Sequence, residues 1–188
     1  MELKGERRVR MRDRVQLARV YLAWPSPPFY APGDAEMDLV AQVLAGGKSS
    51  RLHRRLVYEK RVAQDVLAFQ ASARLGSRFQ ITVTAKPGRS PEQLVHEIDD
   101  ELVRLRKEAP TDRELRRARN RILGGFYRAL DHVESVADLT NQYVYYLGEP
   151  DALEKDLERY RLVTPADLRR AADDHLGPGR VLLTVVPQ

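Results

Sequence analysis

The chain has 188 residues, enough for one domain that buries roughly 70% of the surface its unfolded form exposes. Its 43% hydrophobic and 31% charged content excludes global disorder, and the absence of cysteine excludes disulfides, thiolate metal sites and thiol nucleophiles. Lys and Arg outnumber Asp and Glu 32 to 27, for a net charge of +5; the arginines are mixed with acids along the chain, which reads as a solvated, ion-paired surface rather than a polyanion groove.

Residues 1–14 read as an N-terminal extension or a leading strand, and residues 15–188 as a single domain. Met1 to Asp13 is charged with no apolar core, so no signal peptide is expected there. The run Val181–Val186 falls far short of the ~20 residues a membrane span needs. Val15–Trp24 is β-branched and aromatic enough for a strand, ended by the breaker Pro25-Ser26-Pro27-Pro28. Asp34 starts a helix with Met37, Val40, Ala41 and Leu44 on one stripe, and Gly46-Gly47 stops it. Ser49 or Ser50 caps a short helix carrying Leu52 and Leu56.

Gln64–Ala73 reads as a second strand. In the third, Phe79, Ile81, Val83 and Ala85 alternate with Gln80, Thr82, Thr84 and Lys86, giving one buried and one wet face. Leu75-Gly76-Ser77 between them suits a hairpin, so the pair is expected to be antiparallel. Three helix starts then repeat one device at Ser90–Gln93, Thr111–Glu114 and Thr164–Asp167. Each has a hydroxyl at the cap and an acid or amide three residues on, and two add proline at the first helical position. Further helical stretches lie near Ser135–Leu147 and Asp151–Leu162. Gly177-Pro178-Gly179 ends the last helix before a terminal strand, Arg180–Val186. The expected class is α+β: a two-layer domain with an antiparallel sheet backed by helices.

The residues themselves offer no catalytic centre. His53, His96, His132 and His175 lack metal-ligand spacing, and His96-Glu97-Ile98-Asp99-Asp100 departs from H-E-x-x-H at its fifth position. Gly46-Gly47-Lys48-Ser49 looks like the end of a phosphate loop, but Gln42 stands where the first glycine belongs and the segment follows a helix. No G-x-S-x-G is present, so Ser72, Ser77 and Ser135 have no claim as nucleophiles. Arg113, Arg117 and Arg121 share one helix face, which suits phosphate, an acidic neighbour or solvent. Gly124-Gly125 inside a helix costs ~1 kcal/mol per glycine relative to alanine, which predicts a close packing contact or a kink.

One ordered set of motifs changes the reading. A helix starting at Asp34 ends in Gly46-Gly47-Lys48-Ser49-Ser50-Arg51-Leu52. Glu59-Lys60-Arg61, Thr111-Asp112-Arg113-Glu114-Leu115 and Val163-Thr164-Pro165-Ala166-Asp167-Leu168 follow in that order. From Val15 to the C-terminus the chain resembles the C-terminal, non-zinc half of the insulinase/pitrilysin metallopeptidases, the inverzincin family that includes mitochondrial processing peptidase. The resemblance implies a non-catalytic domain that walls a peptide chamber and supports a homologous N-terminal half. That half would hold zinc through H-x-x-E-H and a distal Glu, with the Glu as general base on zinc-bound water. None of those ligands is in this sequence, so zinc is implied for the other half, and this chain alone is expected to bind none and cleave no peptide.

Substrate-contacting copies of the domain carry an Arg and, seven residues later, a Tyr after the short helix. The register set by Leu56, Glu59 and Val66 puts Val57 and Gln64 at those positions. No catalytic, substrate-binding or metal residue is therefore assigned. The missing pair implies that a second peptidase-like module supplies the donors to the peptide substrate. Two alternatives stay open: a structural, non-peptidase member of the same family, and a basic nucleic-acid-binding domain. Neither nucleic acid nor a membrane span is expected, and no compartment is assigned.

Overall fold

The structure, a computed structural model, describes residues 3–188. Period-two alternation builds five strands: β1 (Arg7–Asp13), β2 (Arg19–Ser26), β3 (Ala63–Ala71), β4 (Ser77–Ala85) and β5 (Val181–Pro187), ordered β1-β5-β2-β4-β3 in one sheet. β2, β3, β4 and β5 pair antiparallel, as the hairpin Leu75-Gly76-Ser77 implies, whereas β1 pairs parallel to β5. The expected antiparallel sheet backed by helices is present, with the one addition of a parallel strand at this edge. The chain's first strand has to lie beside its last, and no sequence pattern in Arg7–Asp13 records the direction of a partner some 170 residues away.

Six helices form the second layer: α1 (Asp34–Ala45), α2 (Pro91–Lys107), α3 (Asp112–Ala129), α4 (Val133–Leu147), α5 (Leu153–Leu162) and α6 (Pro165–His175). All three expected capping boxes form: Ser90 with Gln93, Thr111 with Glu114, and Thr164 with Asp167. α1, α2 and α6 pack on the sheet, and α3 and α5 pack on α1. The core lies between the layers. There Val20, Leu22 and Trp24 of β2 stand opposite Val83, Ile81 and Phe79 of β4, all buried. Trp24 donates its indole N–H to Gly177 O at 2.8 Å, tying β2 to the turn before β5.

Three local expectations change. β2 runs on through Pro25 and Ser26 past the end of its pairing with β5 at Ala23, so Pro25 has no ladder neighbour on that side, where a missing N–H is tolerated. The short helix after Leu52 is π-helical over His53–Glu59, with Lys60 N–H reaching back five residues to Arg55 O at 2.8 Å. Both Arg55 and Leu56 of this segment are buried, Arg55 against the carboxylates of Glu97 and Asp100. Finally, α3 runs unbroken past Gly124-Gly125, and a methyl at Gly125 would meet nothing within 4 Å. At Gly124 a methyl would stand 3.2 Å from Nη1 of Arg128, so the one close approach at this pair is to a side chain one turn on in the same helix.

Candidate functional site: the helix-free face of the sheet

Because side chains alternate, the residues between the core positions form a second face that no helix covers. Three rungs cross all five strands: Met11–Val185–Arg19–Thr84–Asp65, then Val9–Leu183–Tyr21–Thr82–Leu67, then Arg7–Val181–Ala23–Gln80–Phe69. Val9, Met11 and Leu67 are about half exposed (47%, 45% and 53%). Val9 and Met11 stand on one edge strand and Leu67 on the other, with the partly exposed Leu183, Tyr21 and Thr82 between them, so apolar surface reaches the open face at both edges of the sheet.

The first rung closes into a cleft of about 360 Å³, walled by Val15, Gln16 and Leu17 of the β1–β2 connection and floored by Arg19, Tyr21, Thr84 and Val185. Gln64 and Asp65 form its far rim. Arg19 Nε donates to Thr84 Oγ1 at 2.9 Å, and that hydroxyl donates on to Asp65 Oδ1 at 3.0 Å. The register between β3 and β4 slips between Ala63 and Asp65, which makes Gln64 the extra residue of a β-bulge. A bulge re-aims its side chain and adds twist. Val57 lies apart from this cleft, half-buried in the π-helical segment against the core. Of the two positions singled out by sequence, only Gln64 reaches the open face.

The motifs that carried the resemblance are spent on internal structure. Arg51 forks onto Glu114, with Nε 2.7 Å and Nη2 3.0 Å from its two oxygens, while Glu114 also accepts from Thr111 N at 2.8 Å. Burial alone would raise the Glu114 pKa, but the Arg51 fork and the Thr111 cap hold it at about 2. Gly47, at φ 104°, makes the turn after α1, and its carbonyl accepts from Ser50 Oγ at 2.6 Å. This is a helix stop and not a phosphate cradle. Arg121 donates to Gly46 O at 3.3 Å, so one member of the Arg113–Arg117–Arg121 face is a strut.

The residues present do not fit a zinc centre. Among the described residues no group of three or more His, Asp or Glu side chains converges on a point. His96 is exposed, with only Asp100 near it at 3.8 Å, and Glu97 is turned to Arg55 at 2.6 Å.

A buried polar network went unread in the sequence. The Asp34 carboxylate, fully buried, accepts from Tyr30 N (3.0 Å), Gln70 Nε2 (2.6 Å), Ser72 Oγ (2.8 Å) and Arg159 Nη1 (2.8 Å). Arg159 also bonds Asp156 and lies over the rings of Tyr30 and Tyr160 at 4.5 and 5.0 Å. Asp156 accepts from the hydroxyls of Tyr143 and Tyr30, and Tyr160 donates to Asp38 at 2.8 Å. Burial, with Asp34 and Asp156 close by, pushes the Asp38 pKa up to about 7 despite the Tyr160 and Arg159 contacts that oppose the shift. Every carboxylate here has partners, so the network pins α4 and α5 to α1. The only local signal was the tyrosine-rich spacing of α4, which alone names no partner.

Known proteins place this architecture. The chain is 28% identical over 166 residues to the zinc protease PqqE of Helicobacter pylori, covering 87% of the chain and 37% of that protein. It is 26% identical over 194 residues to an uncharacterized zinc protease of Streptomyces coelicolor, covering 97% of the chain and 41% of the relative. The chain thus spans about two fifths of the length of these curated relatives. A solved protease from Helicobacter pylori superposes on 100% of the chain and 45% of its own, with a TM-score of 0.90 at 24% identity. The family described as the peptidase M16 inactive domain matches residues 1–122, from ahead of β1 into α3. With its sheet, its capping boxes and its Arg51–Glu114 clasp accounted for, this chain belongs to the peptidase M16 inactive-domain family.

Proposed function

We propose that this chain is the non-catalytic C-terminal half of a zinc-dependent metalloendopeptidase module, and that its helix-free sheet face walls the chamber in which an extended peptide is held. The observation that carries the reading is the asymmetry of the sheet. One face is sealed by helices, and the other leaves Val9, Met11, Leu67, Tyr21 and Arg19 open. Zinc, in this reading, belongs to the homologous N-terminal half, where it would lower the pKa of a bound water for attack on the scissile carbonyl.

Charge develops on that carbonyl oxygen as water attacks, and a guanidinium and a neutral phenol suit its stabilisation. Val57 has no donor, and Gln64 presents a short, uncharged amide. The domain therefore sits in the zinc-bearing module, and a second module supplies those donors from across the chamber. Two experiments test this. Co-expressing the zinc-bearing half with and without this domain should restore peptide cleavage only when both are present; full activity of the zinc half alone would sink the chamber role. In the full-length enzyme, Val57→Ala and Gln64→Ala should leave kcat within a few-fold, whereas removing an oxyanion donor from the second module should cost on the order of 10²–10³.

A further inference from the structure

We infer that the Arg19–Tyr21–Gln64–Asp65 cleft is a subsite for the backbone of an extended peptide, acting in ground-state binding and not in the chemistry; the inference rests on the chamber reading above. The groups are already placed. Arg19, exposed at the start of β2, is fixed through Nε by Thr84, and among the described residues no carboxylate pairs with its guanidinium. Its Nη nitrogens are therefore donors held in position with no internal acceptor. The Tyr21 ring and the Gln64 amide line the same 360 Å³ space. Asp65 supplies the one carboxylate, steadied by the Thr84 hydroxyl at 3.0 Å.

Donors on one side and an acceptor on the other match a peptide backbone, which presents carbonyl and N–H groups in alternation. They do not match a lone anion, which Asp65 would repel. The bulge at Gln64 turns this end of β3 toward the cleft and keeps it from being a regular, self-pairing edge. Val15, Leu17 and Val185 leave apolar walls for a side chain beside the bound backbone.

The test uses the full-length enzyme and an internally quenched peptide with both termini blocked. Arg19→Ala should raise KM about tenfold, the loss expected for hydrogen bonds to a charged donor, with kcat little changed. Arg19→Lys should recover part of the loss, and Tyr21→Phe, which removes a single oxygen and guards against misfolding, should raise KM by a few-fold. Unchanged KM in both Arg19→Ala and Tyr21→Phe, with the domain still required for activity, would overturn this subsite while leaving the chamber role standing. An effect confined to substrates with a free C-terminus would overturn it in favour of carboxylate capture. A fall in thermal stability of the two-half protein with KM unchanged would mean that the other half covers the cleft.

Discussion

The two faces of the sheet are made by the same strands and differ in almost everything else. On β2 and β4 the helix-covered face carries Val20, Leu22, Trp24, Phe79, Ile81 and Val83, each at 1% exposure or less, while the residues between them, Tyr21, Ala23, Gln80 and Thr82, stay half open. The buried charge is divided just as unequally. Asp34, Asp156, Arg55 and Glu101 all belong to the helical side, each with a partner. Stability is concentrated on one face, which leaves the other free to vary its chemistry without unfolding the domain. That division suits a domain whose contribution is a surface.

The largest effects should come from the covered face. Ile81→Ala removes a fully buried side chain between β2 and β3 and should cost ~2–5 kcal/mol in denaturant unfolding. A loss under ~1 kcal/mol would mean that the two faces are not energetically distinct. Arg159→Leu should cost a comparable ~3–5 kcal/mol, because it strands the buried carboxylates of Asp34 and Asp156 without their cation. Tyr30, Gln70 and Ser72 would still donate to Asp34, so a loss at the lower end is consistent, whereas no loss would break the account of the network.

The next comparison is in pH. Asp38 has its pKa raised from 3.8 to about 7, so the folded state holds a proton that the unfolded chain releases. Its contribution is complete below the unfolded pKa and is lost as pH rises toward 7. Asp38→Asn, which keeps an acceptor for the Tyr160 hydroxyl, should remove that decline and gain relative stability as pH rises from about 4 to about 7. An identical pH slope in both proteins would contradict it. Glu114 runs the other way: held at about 2 by Arg51, it stabilises above its ordinary pKa and loses that contribution as the solution is acidified. Glu114→Gln should therefore be most damaging near neutrality and nearly silent at about pH 2.

The smallest effect is expected on the open face. Thr82→Ala, in the middle rung beside Tyr21 and Leu67, should change stability by no more than ~0.5 kcal/mol. A larger cost would show that the helix-free face carries stability of its own.

Much of this fold was written locally. The alternation of Phe79–Ala85, the stripe of α1, the three capping boxes and the Gly46-Gly47 stop each depend on residues within a turn or two of one another. Steric and hydrogen-bonding rules at that range fix them whatever the rest of the chain does. The ordered motifs identified the family, and their residue types gave no hint that Arg51 and Glu114 would be partners. Tertiary structure alone decided the rest. It set β1 parallel to β5, widened the turn at Arg55 into a π-helix, brought Arg159 to Asp34 across 125 residues, and laid Arg19, Thr84 and Asp65 in one rung below Gln64. Such pairings depend on how the layers dock, and docking is set by the sum of many weak contacts that no short stretch of sequence contains.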